Sequence, residues 1–73
     1  MKYKDRVDVI VHYLCCSDTE ILTANKIIET LDGLSLENKL LCLIYALQDK
    51  YVDKSKRRTK IIDLVVHYLT YEG

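Results

Sequence analysis

The stretch "DVIVHYL", Asp8–Leu14, returns near the other end of the chain as "DLVVHYL", Asp63–Leu69. Five of the seven residues match, and the other two exchange one aliphatic for another. Val-Ile-Val-His-Tyr has high β-propensity. Read as a strand, however, it places Asp8, Ile10, His12 and Leu14 on one face, mixing charge with large aliphatics. Read as a helix, Lys4 or Asp5, Asp8 and His12 recur every three to four residues as one polar stripe. Val7, Val9, Ile10, Val11, Tyr13 and Leu14 fill the rest of the circumference. The helix template fits better. In the second copy Lys60, Asp63 and His67 form the stripe.

The remaining composition agrees with helices. The 73 residues include no proline, and the two glycines are Gly33 and Gly73. Sheet proteins need Gly, Pro and Asn at their turns. "SDTE" offers a capping box, Ser17 with Glu20, and opens a second helix. Ile21, Ala24, Ile28 and Leu31 form its apolar face, with Leu22 and Ile27 beside them, and Asp32-Gly33 closes it. Ser35 caps a third helix, whose run "LLCLIYAL", Leu40–Leu47, is apolar at every position and predicts burial on all sides. Tyr51 and Val52 continue its stripe. "DKSKRRTK" contains no glycine or proline, and Asp53 or Ser55 can cap a fourth helix. A continuous helix from 35 to about 70 is the alternative and would force dimerisation. The sequence thus predicts one all-α domain over 1–73, a compact four-helix fold with helices at about 4–16, 18–32, 35–53 and 56–71 and the third central.

Other features bound the function. A chain this short buries only about 60% of its unfolded surface. Three cysteines, two of them adjacent (Cys15 and Cys16), do not suggest a disulfide framework. "MKYKDRVD" alternates charge and does not read as a signal peptide. These features predict an intracellular chain, cytoplasmic or nuclear, with reduced thiols. No apolar window reaches membrane-span length. Net charge is zero, but residues 50–60 hold six bases against one acid.

Asp8/His12 and Asp63/His67, each four apart, could ligate zinc or iron if two helices brought them together. A narrow solvent stripe is the plainer reading. His12, Cys15 and Cys16 share one turn but have no CxxC partner, and buried small residues explain the cysteines more simply. Phosphate-binding glycine loops and oxyanion-forming turns are missing. An enzyme is not expected, nor a cofactor or small-molecule substrate.

Lys54, Lys56, Arg57, Arg58 and Lys60, with Tyr51 beside them, could neutralise phosphates of a nucleic acid or meet an acidic protein surface. A helix-turn-helix reader is disfavoured, because "LLCLIYAL" would be its recognition helix. The apolar surplus of helices one, three and four exceeds what a four-helix monomer covers. The leading expectation is therefore a small non-catalytic interaction or regulatory protein that binds another protein and forms a homodimer. Tyr3, Tyr13, Tyr45, Tyr51, Tyr68 and Tyr71 are candidate contacts. A nucleic-acid-binding regulator using 54–60 is the alternative.

Overall fold

The computed structural model describes residues 3–49, 52 and 55–71, with Tyr3 described in its backbone alone. Four helices run in chain order: α1 (Tyr3–Cys15), α2 (Glu20–Thr30), α3 (Leu36–Leu47) and α4 (Lys56–Tyr71). The described residues contain no strand. Both copies of the repeated phrase are helical and sit in the same register. Ile10 and Val65, its third residue, are fully buried, and Leu14 and Leu69, its seventh, are buried too. Spacing of i and i+4 puts these side chains one above the other on each helix. Asp8, His12, Asp63 and His67 are exposed. The repeat therefore specifies an inward ridge and an outward polar stripe, twice.

The helices pack in the spatial order α3, α1, α2, α4, with α1 against both α2 and α3, and α2 against both α1 and α4. The expected central position of the third helix is thus corrected. Cys42, Leu43 and Ala46 are buried on one side of α3, while Leu36, Leu40, Leu41, Ile44 and Tyr45 are exposed on the other. The Cα atoms span 27 × 25 × 16 Å. Two packed helices lie about 8–10 Å apart, each with Cα atoms on a cylinder of about 2.3 Å radius. A 16 Å dimension therefore holds two helical layers and no more, so no helix can be covered all round.

The helix ends show which polar groups act as caps. Ser35 Oγ accepts the Asn38 N–H at 3.3 Å, as the sequence predicts, and Ser55 Oγ accepts the Arg58 N–H at 3.2 Å. The break before α4 is therefore real. Asp53, the other candidate cap, lies outside the described residues. At α2 the cap is Thr19, whose Oγ1 accepts the Leu22 N–H at 3.3 Å, and the expected Ser17–Glu20 box is corrected. Asp18 explains the shift. Its carboxylate takes Lys26 Nζ at 3.0 Å and its carbonyl takes the Arg57 guanidinium, which holds residue 18 outside the helix. Gly33, at φ 85°, supplies the left-handed residue after α2.

The third helix stops at Leu47 rather than at 53. The Gln48 N–H is shared between the Ile44 and Tyr45 carbonyls, and the Asp49 N–H bonds the Ala46 carbonyl. Such i→i+3 bonds tighten and end a last turn. Beyond it the Val52 N–H bonds the Asp49 carbonyl and Val52 is buried in the core, so its burial does not require α3 to continue. The inward face of α2 is also rotated from expectation. Thr23, Ala24, Ile27 and Leu31 are buried, whereas Ile21 and Leu22 are exposed.

Two arginines tie the layers together. Arg6 of α1 donates through Nη1 to the carbonyls of Thr30 (2.8 Å) and Asp32 (2.6 Å) at the end of α2. Arg57, in the first turn of α4, donates through Nη1 to the Leu14 carbonyl at 3.0 Å. Its Nη2 reaches the Asp18 carbonyl at 2.8 Å and Thr23 Oγ1 at 3.1 Å. The last carbonyls of a helix lack intrahelical partners and carry its negative dipole end. Each guanidinium therefore satisfies a helix C-terminus while crossing to a neighbouring segment.

Candidate interaction surface

The outer face of α3 is the most continuous apolar surface on one element. Leu36, Leu40 and Ile44 form one i, i+4, i+8 ridge, and Leu41 with Tyr45 forms the next. Leu36, Ile44 and Tyr45 each leave about half of their surface open (53, 49 and 57%). The face carries one charged group, Glu37, and ends at the exposed Gln48. Together the five side chains expose an apolar area on the order of 500 Å², near a tenth of the 5030 Å² surface. Beside the ridges lies a hollow of about 150 Å³ lined by Asn38, Leu41, Cys42 and Tyr45. Burial raises the pKa of Cys42 above its ordinary value, so its thiol stays protonated and weakly nucleophilic at neutral pH.

A second apolar groove lies between α2 and α4. Ile21, Ala24, Asn25, Ile28, Leu64, His67 and Tyr68 line about 180 Å³ there. Ile21 and Tyr71, at 67 and 75% exposure, stand on its flanks. His67 packs against Tyr71, with ring centroids 4.7 Å apart. Tyr13, by contrast, is half-buried against the core, with Lys26 Nζ 5.7 Å from its ring centroid. Tyr13 is therefore spent inside the fold, whereas Tyr45, Tyr68 and Tyr71 are open to contact.

The basic segment is divided. Lys56 and Lys60 are exposed, while Arg57 and Arg58 are half-buried. Arg57 is committed to its backbone acceptors, which removes its guanidinium from any outward phosphate site. Arg58 borders a hollow with Leu47, Thr59, Ile62 and Asp63. Lys54 and Tyr51 lie outside the described residues. The two Asp–His pairs do not form a joint ligand set. Among the described residues no three His, Cys, Asp or Glu side chains come together as a metal group. His12 meets Cys16 instead of Asp8, with Nε2 and Sγ 3.6 Å apart.

Three features were not evident from sequence: the Arg57 and Arg6 bonds and the hollow beside Cys42. A lone arginine inside a helix carries a weak signal for a carbonyl partner, since such bonds join residues 24 to 43 positions apart. Among the described residues, no helix is long and apolar enough to cross a membrane. Compared with protein-family models, curated proteins and solved structures, the chain matches none of them.

Proposed function

We propose that this chain is a small non-catalytic interaction protein that works through the outer face of α3 and that this face joins a second copy as a homodimer. The observation that carries the reading is the pair of apolar ridges on α3, interrupted by one charge. A stable interface buries about 800 Å² per partner around a desolvated apolar centre. The α3 face supplies such a centre, and Asn38 and Gln48 supply polar groups at its edge. Leucine, isoleucine and tyrosine at regular spacing on a rigid helix bury large area at small entropic cost. The groove between α2 and α4 stays free for a further partner.

The basic segment supports nucleic-acid binding less well, because Arg57 already serves the fold. Light scattering at high micromolar concentration tests the proposal. The expected mass is twice the 8.5 kDa of one chain. The double substitution Leu40→Asn/Ile44→Asn, on exposed positions, should halve that mass with helicity unchanged. A wild-type chain that stays monomeric across this range would refute self-association.

A further inference from the structure

We propose that Cys16 is a modification site, a thiol that His12 activates for exchange with a small-molecule disulfide. Buried positions were expected for the cysteines, but Cys42 alone is buried, while Cys15 is exposed and Cys16 half-exposed. His12 is exposed on the polar stripe of α1. Its Nε2 lies 3.6 Å from Cys16 Sγ, within hydrogen-bond reach of a thiol. With the ring proton on Nδ1, Nε2 accepts the thiol hydrogen.

The backbone holds this pair together. α1 ends at Cys15, yet the Cys16 N–H bonds the Tyr13 carbonyl at 3.2 Å, which keeps residue 16 on the last turn. Residues four apart on a helix face each other. The second copy of the repeated phrase puts Tyr71 at the matching place, where it packs on His67. Both helices therefore present a histidine there, and the first adds a thiol to it.

Two cations from other helices act on the same spot. Lys26 of α2, paired with Asp18 at 3.0 Å, lies close enough for its charge to interact with that of Cys16. The last carbonyls of α1 oppose a negative sulfur, and Arg57, bound to the Leu14 carbonyl, offsets them. A sulfur that gains negative charge as it reacts thus meets an imidazole and an ammonium.

The exchange balances without a further reagent. Cys16 Sγ attacks one sulfur of the disulfide while His12 Nε2 takes the thiol proton. A new S–S bond to Cys16 forms as the old S–S bond breaks. The departing thiolate receives the proton from His12 and leaves as a thiol. Cys16 ends oxidised as a mixed disulfide, and one half of the reagent ends reduced.

Oxidised glutathione serves as the probe. Two chains, Cys15→Ser and Cys16→Ser, are reacted at neutral pH, and the adducts are quenched with acid and located by peptide mass. Cys42, 2% exposed, should stay unmodified in both and reports that the chains are folded. The expected result is adduct at Cys16 about tenfold or more faster than at Cys15. Adding His12→Gln to the Cys15→Ser chain should slow Cys16 by a similar factor. Unfolding would speed modification and expose Cys42, so a slower reaction reports the loss of the imidazole. Equal rates at Cys15 and Cys16 would overturn the proposal, as would a Cys16 rate unchanged by His12→Gln.

Discussion

Replacing Arg57 with alanine should cost a large part of the stability of this small fold. Four contacts disappear: two to the Asp18 carbonyl, one to the Leu14 carbonyl and one to Thr23 Oγ1. Thr23 is 1% exposed with the guanidinium in place, and its hydroxyl oxygen loses this donor. A hydrogen bond to a charged group contributes about 1.5–3 kcal/mol, and a buried acceptor left alone costs about 1–3 kcal/mol. Arg57 is half-buried, and water can reach part of the space it vacates. The two carbonyls therefore recover some solvation, and the net loss is about 2–3 kcal/mol. Global stability of about 0.05–0.15 kcal/mol per residue leaves few such losses to spare. A domain of this size loses about 4–8 °C in Tm per kcal/mol, so Arg57→Ala should lower Tm by about 10–20 °C. Arg58→Ala and Lys60→Ala, which leave these contacts intact, should stay within about 0.5 kcal/mol of wild type. Urea denaturation followed by circular dichroism gives the three values under one condition. An Arg57→Ala midpoint indistinguishable from that of Lys60→Ala would refute the structural role of Arg57. The comparison also bears on nucleic acid. Loss of binding after Arg57→Ala would reflect unfolding, whereas loss after Lys56→Ala/Lys60→Ala would report a surface contact.

Capping gives a sharper positional test: Thr19→Ala and Ser35→Ala should each cost about 1 kcal/mol, and Ser17→Ala well under 0.5 kcal/mol, by urea titration. Gly33→Ala, at φ 85°, should cost about 1–2 kcal/mol by the same assay, since open space around its Cα leaves backbone strain as the sole penalty. Stability should fall as pH rises above 9.0, the ordinary value for the Cys42 thiol. Burial raises the Cys42 pKa above 9.0, so the folded state holds that proton more tightly than the unfolded chain does. The contribution is complete below the unfolded pKa and is lost as pH rises through the folded one. Lys26, raised by its hydrogen bond to Asp18, acts with the same sign at still higher pH. Cys42→Ala should flatten the thermal-melting slope over the Cys42 range, and an undiminished slope would assign it elsewhere.

The helical class was legible because periodicity is local. Each copy of the repeated phrase gives the same inward pair, Ile10 with Leu14 and Val65 with Leu69, without reference to any neighbour. The cap was legible where a serine stood alone before the helix, as at Ser35, while at the fourth helix Ser55 was one of two candidates with Asp53. The reading failed at "SDTE", where three polar residues compete. Long-range partners of Asp18 decided that competition: Arg57 lies 39 positions away and cannot be seen from a local pattern. Val52 illustrates the same limit. Its apolar character correctly signals burial, but Val52 is buried although α3 has already ended at Leu47.

The candidate surface was legible in quantity and not in place. An apolar surplus can be counted from sequence, since three helices carry more aliphatic surface than four-helix packing hides. Where the surplus emerges depends on which helices lie inside, and two polar clamps accompany that order. Arg6 joins α1 to the end of α2, and Arg57 joins α4 to the α1–α2 connection. Both clamps converge on α1 and α2, the inner pair. α3 is then held against α1 along Cys42, Leu43 and Ala46, and its most apolar remaining side faces outward. A helix that reads as the core by hydrophobicity alone is left with an exposed apolar side once α1 and α2 lie inside. The uniform apolarity of "LLCLIYAL" therefore serves two partners at once: α1 of its own chain on one side and, on the reading proposed, α3 of a second copy on the other.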